Sequence, residues 1–425
     1  MNARQTTRLV LLALFASLCL APAAPARAAD TTKADDLAAL DIERAIKQTR
    51  HKLAPRIMRY LNAAHELLDE GKPEEAQAIL ERLNLKRLNP HELAYVYRSK
   101  ATVAYFAGDY ATAIEDFENV LKEEVFKVDT ENKIRFNIAQ IHASLEQWQA
   151  AIDALNRWFR YVEDPDPLAY YLLGIAYYQL EKFDLSIENT EKAVDLAAEP
   201  NEGWLQLLAA LYIQKEDYAN AAPILEELVM RFPKKQYWVQ LSLIYGARDQ
   251  YRASLAVQQV AYMQGFLTES KELLRLARSY LYHDLPYPAA EALEKGLKDG
   301  TIEPDADSYE LLANSLIAAR EYERSLAPLQ KAAELADDGN LFVRLGQVHL
   351  QREEWGPAAD NLEHAIGKGG LKHPGNAELL LGIAYYNLER VDQARSSFVR
   401  ARAHDATREA AARWITHIEN EARTG

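Results

Sequence analysis

The chain of 425 residues has a single cysteine, Cys19, and only four methionines. Cys19 lies in an apolar stretch close to the N-terminus, and no second cysteine exists to pair with it. This excludes an intramolecular disulfide framework and a thiol-based site in the rest of the chain. Leu18, the residue before Cys19, is not small, which argues against lipid attachment there. Positive charge is also scarce: 49 Lys and Arg stand against 63 Asp and Glu, for a formal net charge of −14. That balance argues against nucleic acid and anionic lipid surfaces, which select basic faces. It suits a basic partner and also keeps a long chain soluble. No P-loop or G-x-S-x-G is present, and His65-Glu66 and His91-Glu92 lack the second histidine of a zinc-protease motif. His142 and His349 fall at packing positions. Gly367-Lys368-Gly369-Gly370 reads as a helix-terminating loop. No catalytic, cofactor or metal residues are expected, and the protein is read as a non-enzyme.

Residues 1–28 read as a secretory signal peptide. Arg4 and Arg8 are basic, residues 9–20 are apolar, and Ala26-Arg27-Ala28 fits small-x-small cleavage. The apolar run is too short for a membrane span of ~20 residues. Cleavage removes Arg4, Arg8 and Arg27 and no acid, which takes the net charge from −14 to −17. The mature chain is then expected in the periplasm, with no integral membrane segment. Residues 29–53 are polar and expected to be partly disordered.

What dominates the remainder is a small residue returning every 33–38 positions: Ala76, Ala113, Ala151, Ser186, Ala221, Ser254, Ala289, Ser325, Ala358 and Ala394. A second small residue stands twelve positions before each, as in Gly174 before Ser186 and Gly382 before Ala394. Tyr110, Trp148, Phe183, Tyr218, Tyr251, Tyr322 and Trp355 each stand three before one of the small residues. Apolar residues recur at three- and four-residue steps in two runs per period, as in Leu172, Leu173, Ile175 and Ala176, then Ile187, Thr190, Ala193 and Val194. Those steps place them on one stripe of a helix. Two short helices and two turns fill each period, and the small residues mark where the helices cross most closely. The expected fold is all-α: a right-handed superhelical solenoid of about ten helix-turn-helix repeats over residues 54–406. Looser joints are expected near residues 198–203 and 265–271. Residues 407–425 form a capping helix that buries Ala411, Trp414, Ile415 and Ile418.

The pattern resembles the tetratricopeptide repeat. Leu173-Gly174 with Tyr177, and Leu381-Gly382 with Tyr385 followed by Ala394, Phe398 and Ala401, carry the likeness. The resemblance implies a protein-binding scaffold whose first helices line a concave face. Carried onto this chain, the groove positions are Arg98, Tyr105, Phe106, Phe136, Gln140, Tyr171, Tyr178, Gln179, Gln206, Gln214, Gln347, Tyr386 and Asn387. This set is aromatic and amide-rich, which suits an extended peptide or a helix. The basic and amide residues that some members use to clamp a carboxylate are scattered here, at Arg98, Lys133, Arg278 and Asn314.

Longer stretches resemble the periplasmic tetratricopeptide proteins found with TonB–ExbB–ExbD energy-transduction components of proteobacteria. They include Glu202-Gly203-Trp204, residues 225–229 running into Pro233-Lys234-Lys235, Tyr237-Trp238, Gly265-Phe266-Leu267 and residues 411–419. This likeness implies a protein or peptide partner such as the periplasmic regions of TonB or ExbD, no nucleic acid and no cofactor. The alternative is an assembly or chaperone scaffold in outer-membrane or polysaccharide-export machinery.

Overall fold

The computed structural model describes residues 31–50 and 52–424, so the signal-peptide reading falls outside the described residues. All regular structure among them is helical, and it divides into two compact units with the boundary after Phe232.

The first unit opens with α1 (Thr31–Arg50). Five hairpins follow: α2 (Pro55–Asp69) with α3 (Pro73–Glu81), α4 (Pro90–Phe106) with α5 (Tyr110–Glu123), α6 (Val128–Ser144) with α7 (Trp148–Phe159), α8 (Pro167–Gln179) with α9 (Phe183–Leu196), and α10 (Glu202–Gln214) with α11 (Tyr218–Arg231). The second unit holds α12 (Lys235–Ala247) with α13 (Tyr251–Met263), α14 (Ser270–Tyr282) with α15 (Pro286–Lys298), α16 (Ala306–Ala318) with α17 (Tyr322–Leu335), α18 (Asn340–Gln351) with α19 (Trp355–Lys368), and α20 (Pro374–Asn387) with α21 (Val391–Arg402). It closes on α22 (Arg408–Thr424).

Each second helix starts at the aromatic position of the repeat or its equivalent. The paired small residues are buried, including Ala64 and Ala76, Ala101 and Ala113, and Ala277 and Ala289. At Gly174 the crossing is so close that a Cβ would lie 2.3 Å from Thr190 Oγ1. Large side chains fill the space between crossings: Phe117, Ile138, Leu155 and Trp158 in the first unit, and Leu276, Leu293 and Phe398 in the second. Each such side chain, fully buried, contributes about 1.5–3 kcal/mol.

Helix ends follow local chemistry. Asn89, Asp109, Asp166, Asn201, Asp217 and Asp305 accept from backbone N–H groups in the first turns of their helices. Proline opens α2, α3, α4, α8, α15 and α20, where its missing N–H has no helical role. Within every hairpin the turn is the same left-handed cap, with an N–H bonded back to a carbonyl five residues earlier, as Lys182 N to Tyr177 O at 2.9 Å. Only two hairpins use glycine there, Gly71 and Gly108. The others place Glu, Asp or Arg at positive φ, including Glu181 at 58°.

Of residues 29–53, expected to be partly disordered, 31–50 form the helix α1, whose Arg44 pairs with Glu131. Looser joints were expected near residues 198–203 and 265–271, and the boundary between the two compact units falls after Phe232. There α11 ends and Pro233 has no N–H with which to continue it. Trp414 is half-buried while Ala411, Ile415 and Ile418 are buried. Its ring stacks on Phe398 at 5.3 Å and 5°.

Candidate partner-binding surface

The hairpins hold the residues predicted to line a groove on rigid helices, and the structure sorts them into three groups. The first is available to a partner. Phe106, at the end of α4, is 64% exposed. Tyr105 beside it is half-buried and meets both Phe106 (5.7 Å) and Tyr110 (5.6 Å) edge-on. Desolvation of its hydroxyl and the neighbouring Tyr110 push the Tyr105 pKa above the ordinary phenol value. Arg98 is exposed, with its guanidinium 5.7 Å over the Phe126 ring. Tyr178 is half-buried, 6.0 Å from Phe183. Gln140, Gln179 and Gln347 are half-buried and Gln214 is exposed.

The second group spends its polar atoms inside the repeat. Gln206 donates to Glu202 at 3.2 Å, and Asn387 donates to the Ile383 carbonyl of its own helix at 2.8 Å.

The third group is corrected. Tyr171 does not line a groove: it is 2% exposed and stacks on Trp204 of the next hairpin at 5.2 Å. Burial raises its pKa to about 12. Tyr386 is half-buried and engaged by α22. Its ring lies 5.2 Å from Trp414, and its hydroxyl donates to Glu421 at 2.8 Å and stands 3.0 Å from His417 Nε2. Phe136, half-buried against Trp158 at 5.3 Å, lines a cavity that α1 partly covers.

The set therefore does not form one site. In the first unit Tyr105 and Phe106 cluster with Tyr110, which the set did not include, and Tyr178 separately meets Phe183, also outside it.

Two features of this surface were missed in the sequence. In the second unit Tyr282 is 68% exposed and its ring meets Tyr251 at 5.3 Å and His283 at 5.2 Å. It stands five residues after Ala277, as Phe106 does after Ala101, so the same offset finds it. Buried acids are the other feature. Asp116 lies 3.6 Å from Lys100, and Glu131 is fully enclosed between Arg44 and Arg135. Burial raises both carboxyl pKa values, and the neighbouring cations oppose the shift.

A tyrosine–carboxylate tie recurs between hairpins in both units. Tyr212 donates to Glu191, and Tyr385 donates to Glu363. Desolvation first, then the carboxylate, raises the pKa of Tyr385 to about 12. His142 and His349 are half-buried, each with Nδ1 against the residue just before the next helix: Gln147 Oε1 at 2.7 Å and Glu354 Oε2 at 2.6 Å. Among the described residues no cluster of three or more His, Cys, Asp or Glu is arranged to hold a metal, and no helix is long and apolar enough to cross a membrane.

Residues 98–165 and 168–200 match two models of the tetratricopeptide repeat. Those two segments carry the tetratricopeptide repeat. No curated protein matches the sequence. Among solved structures, MamA (41-end) from Desulfovibrio magneticus RS-1 is similar at 26% identity over 42% of this chain and 96% of that one, with a TM-score of 0.35. A tetratricopeptide repeat protein from Parabacteroides merdae ATCC 43184 is similar at 18% identity over 67% and 94%, with a TM-score of 0.36. The TPR2AB domain of yeast Sti1, solved in a pHSP90 complex, is similar at 17% identity over 60% and 98%, with a TM-score of 0.32. The repeat fold is typically a non-catalytic protein-interaction scaffold.

Proposed function

We propose that the protein is a non-catalytic periplasmic scaffold that binds an extended segment of a TonB-dependent transport system, from TonB or ExbD. The observation that carries the binding part of this reading is the exposed Phe106 held edge-on by Tyr105, with Tyr110 behind it. Rigid aromatics of this kind supply contact area at low entropy cost. The secretory leader in the sequence supports the periplasm, and the resemblance of residues 225–235 and 411–419 supports the TonB association. A periplasmic linker of TonB is proline-rich, extended and basic. An acidic chain steers such a ligand towards it, and the aromatics offer faces for its prolines.

The test is titration of the purified periplasmic regions of TonB and ExbD into the mature protein. Binding that weakens with salt, and weakens about tenfold in Phe106→Ala, supports the reading. Binding of unfolded barrel precursors or synthase segments, with none to TonB or ExbD, replaces it with an assembly or chaperone role.

A further inference from the structure

The helix α1 packs against a hairpin far from it in sequence, and it does so through polar contacts. Lys127, the residue before α6, makes no side-chain cap. Asp41 of α1 supplies one instead, with Oδ1 accepting from Val128 N at 2.7 Å. One turn further along α1, Arg44 Nη2 lies 2.9 Å from Glu131 Oε2, an oxygen also 3.0 Å from Arg135. Near its start, Lys33 donates to the Phe159 carbonyl at the end of α7 at 2.9 Å. These contacts complement the ends of two helices, with an acid at an N-terminus and a cation at a C-terminus.

The apolar part of the contact is poor. Ala34, Leu37 and Ala38 line one side of an open cleft of about 660 Å³ whose other side includes Phe136, Trp158 and Tyr161, and Ala38 is exposed. The isoleucines of α1 point elsewhere: Ile42 is 65% and Ile46 is 49% exposed. Two buried polar atoms also lack hydrogen bonds, Arg44 Nη1 and Glu131 Oε1. A native interface seldom leaves such groups unpaired, and the cleft beside α1 stays open to solvent.

We propose that this surface is a helix-binding site, occupied in the free protein by α1 and taken in the complex by a partner helix. That partner carries an acid and an arginine three residues apart, as Asp41 and Arg44 are, and bulky apolar side chains where α1 has Ala34 and Ala38. The same polar anchors set its register. The larger side chains fill the cleft and give it the advantage over α1, whose tether supplies only a millimolar effective concentration. The site goes beyond the proposed function and does not depend on which envelope system the scaffold serves.

The probe is a fluorescent peptide of residues 31–50 carrying Ala34→Leu and Ala38→Leu, titrated into the full mature protein and followed by anisotropy. It is expected to bind, and to bind at least tenfold more tightly to the Arg44→Glu protein, whose own α1 is released. Hydrogen exchange at residues 33–47 rises in that protein. A protein with Ala34→Leu and Ala38→Leu in its own α1 is expected to lose the peptide and to protect those amides. The peptide with Arg44→Glu is expected not to bind. If Arg44→Glu does not fold, Asp41→Asn serves in the same direction. The proposal is overturned if releasing α1 leaves the peptide affinity unchanged, or if the leucine-bearing protein binds the peptide as well as the wild type.

Discussion

The Ser186 hydroxyl donates to the Gly174 carbonyl at 2.7 Å, and the Ser254 hydroxyl does the same to Ser242. A hydrogen bond from a side chain of one helix to the backbone of the next requires the axes to cross closely, and that closeness sets what each crossing tolerates. Gly174→Ala is expected to destabilise the protein by about 2 kcal/mol, because the new methyl group meets Thr190 Oγ1 and overpacks the crossing. Adding Thr190→Ala is expected to return most of that loss. Urea unfolding of the single and double variants checks the coupling.

Alkaline stability follows from the enclosed phenols. Tyr171 and Tyr385 have folded-state values of about 12, above the ordinary 10.0. The folded state therefore holds their protons more tightly than the unfolded state does. Their contribution is complete below about pH 10 and is lost as pH rises towards 12. Absorbance titration is expected to show a late-ionising class of tyrosines whose ionisation coincides with loss of helical circular dichroism.

Tyr386 is expected to act on the C-terminal helix alone. Tyr386→Phe removes the hydroxyl contacts to Glu421 and His417. Amides of residues 415–421 are expected to exchange several-fold faster, consistent with losing about 1 kcal/mol locally. The global melting temperature is expected to change little, since Trp414 keeps its stacking on Phe398.

The exposed aromatics are expected to separate binding from stability. Phe106→Ala and Tyr282→Ala remove side chains that are mostly in solvent, so each is expected to change stability by less than ~0.5 kcal/mol. Loss of partner affinity of tenfold or more in Phe106→Ala, with an unchanged unfolding curve, marks a contact residue. Calorimetry and urea unfolding on the same preparation check both.

The repeat was legible because its determinants are local and periodic: a small residue, an aromatic three before it, and a second small residue twelve before. The turns were less so. Left-handed caps at Glu181, Glu216 and Asp249 carry no glycine to announce them, and the backbone bond from the following residue closes each turn, as Lys182 N to Tyr177 O at 2.9 Å. Groove residues were legible by offset but not by availability. Tyr171 satisfies the offset, yet Trp204 of the next hairpin covers it. Tyr386 satisfies it, yet the capping helix takes it. Both outcomes depend on a neighbour that an offset cannot see. The docking of α1 was invisible for the same reason: Asp41 and Arg44 look like a solvated face until Val128 and Glu131 are brought beneath them.

The most direct test of the scaffold reading is in-cell photo-crosslinking from position 178, with position 171 as the buried control. The expected result is adducts to TonB or ExbD from position 178 and none from position 171. Equal labelling from both positions, or adducts from position 178 to barrel precursors or synthase subunits alone, would contradict it.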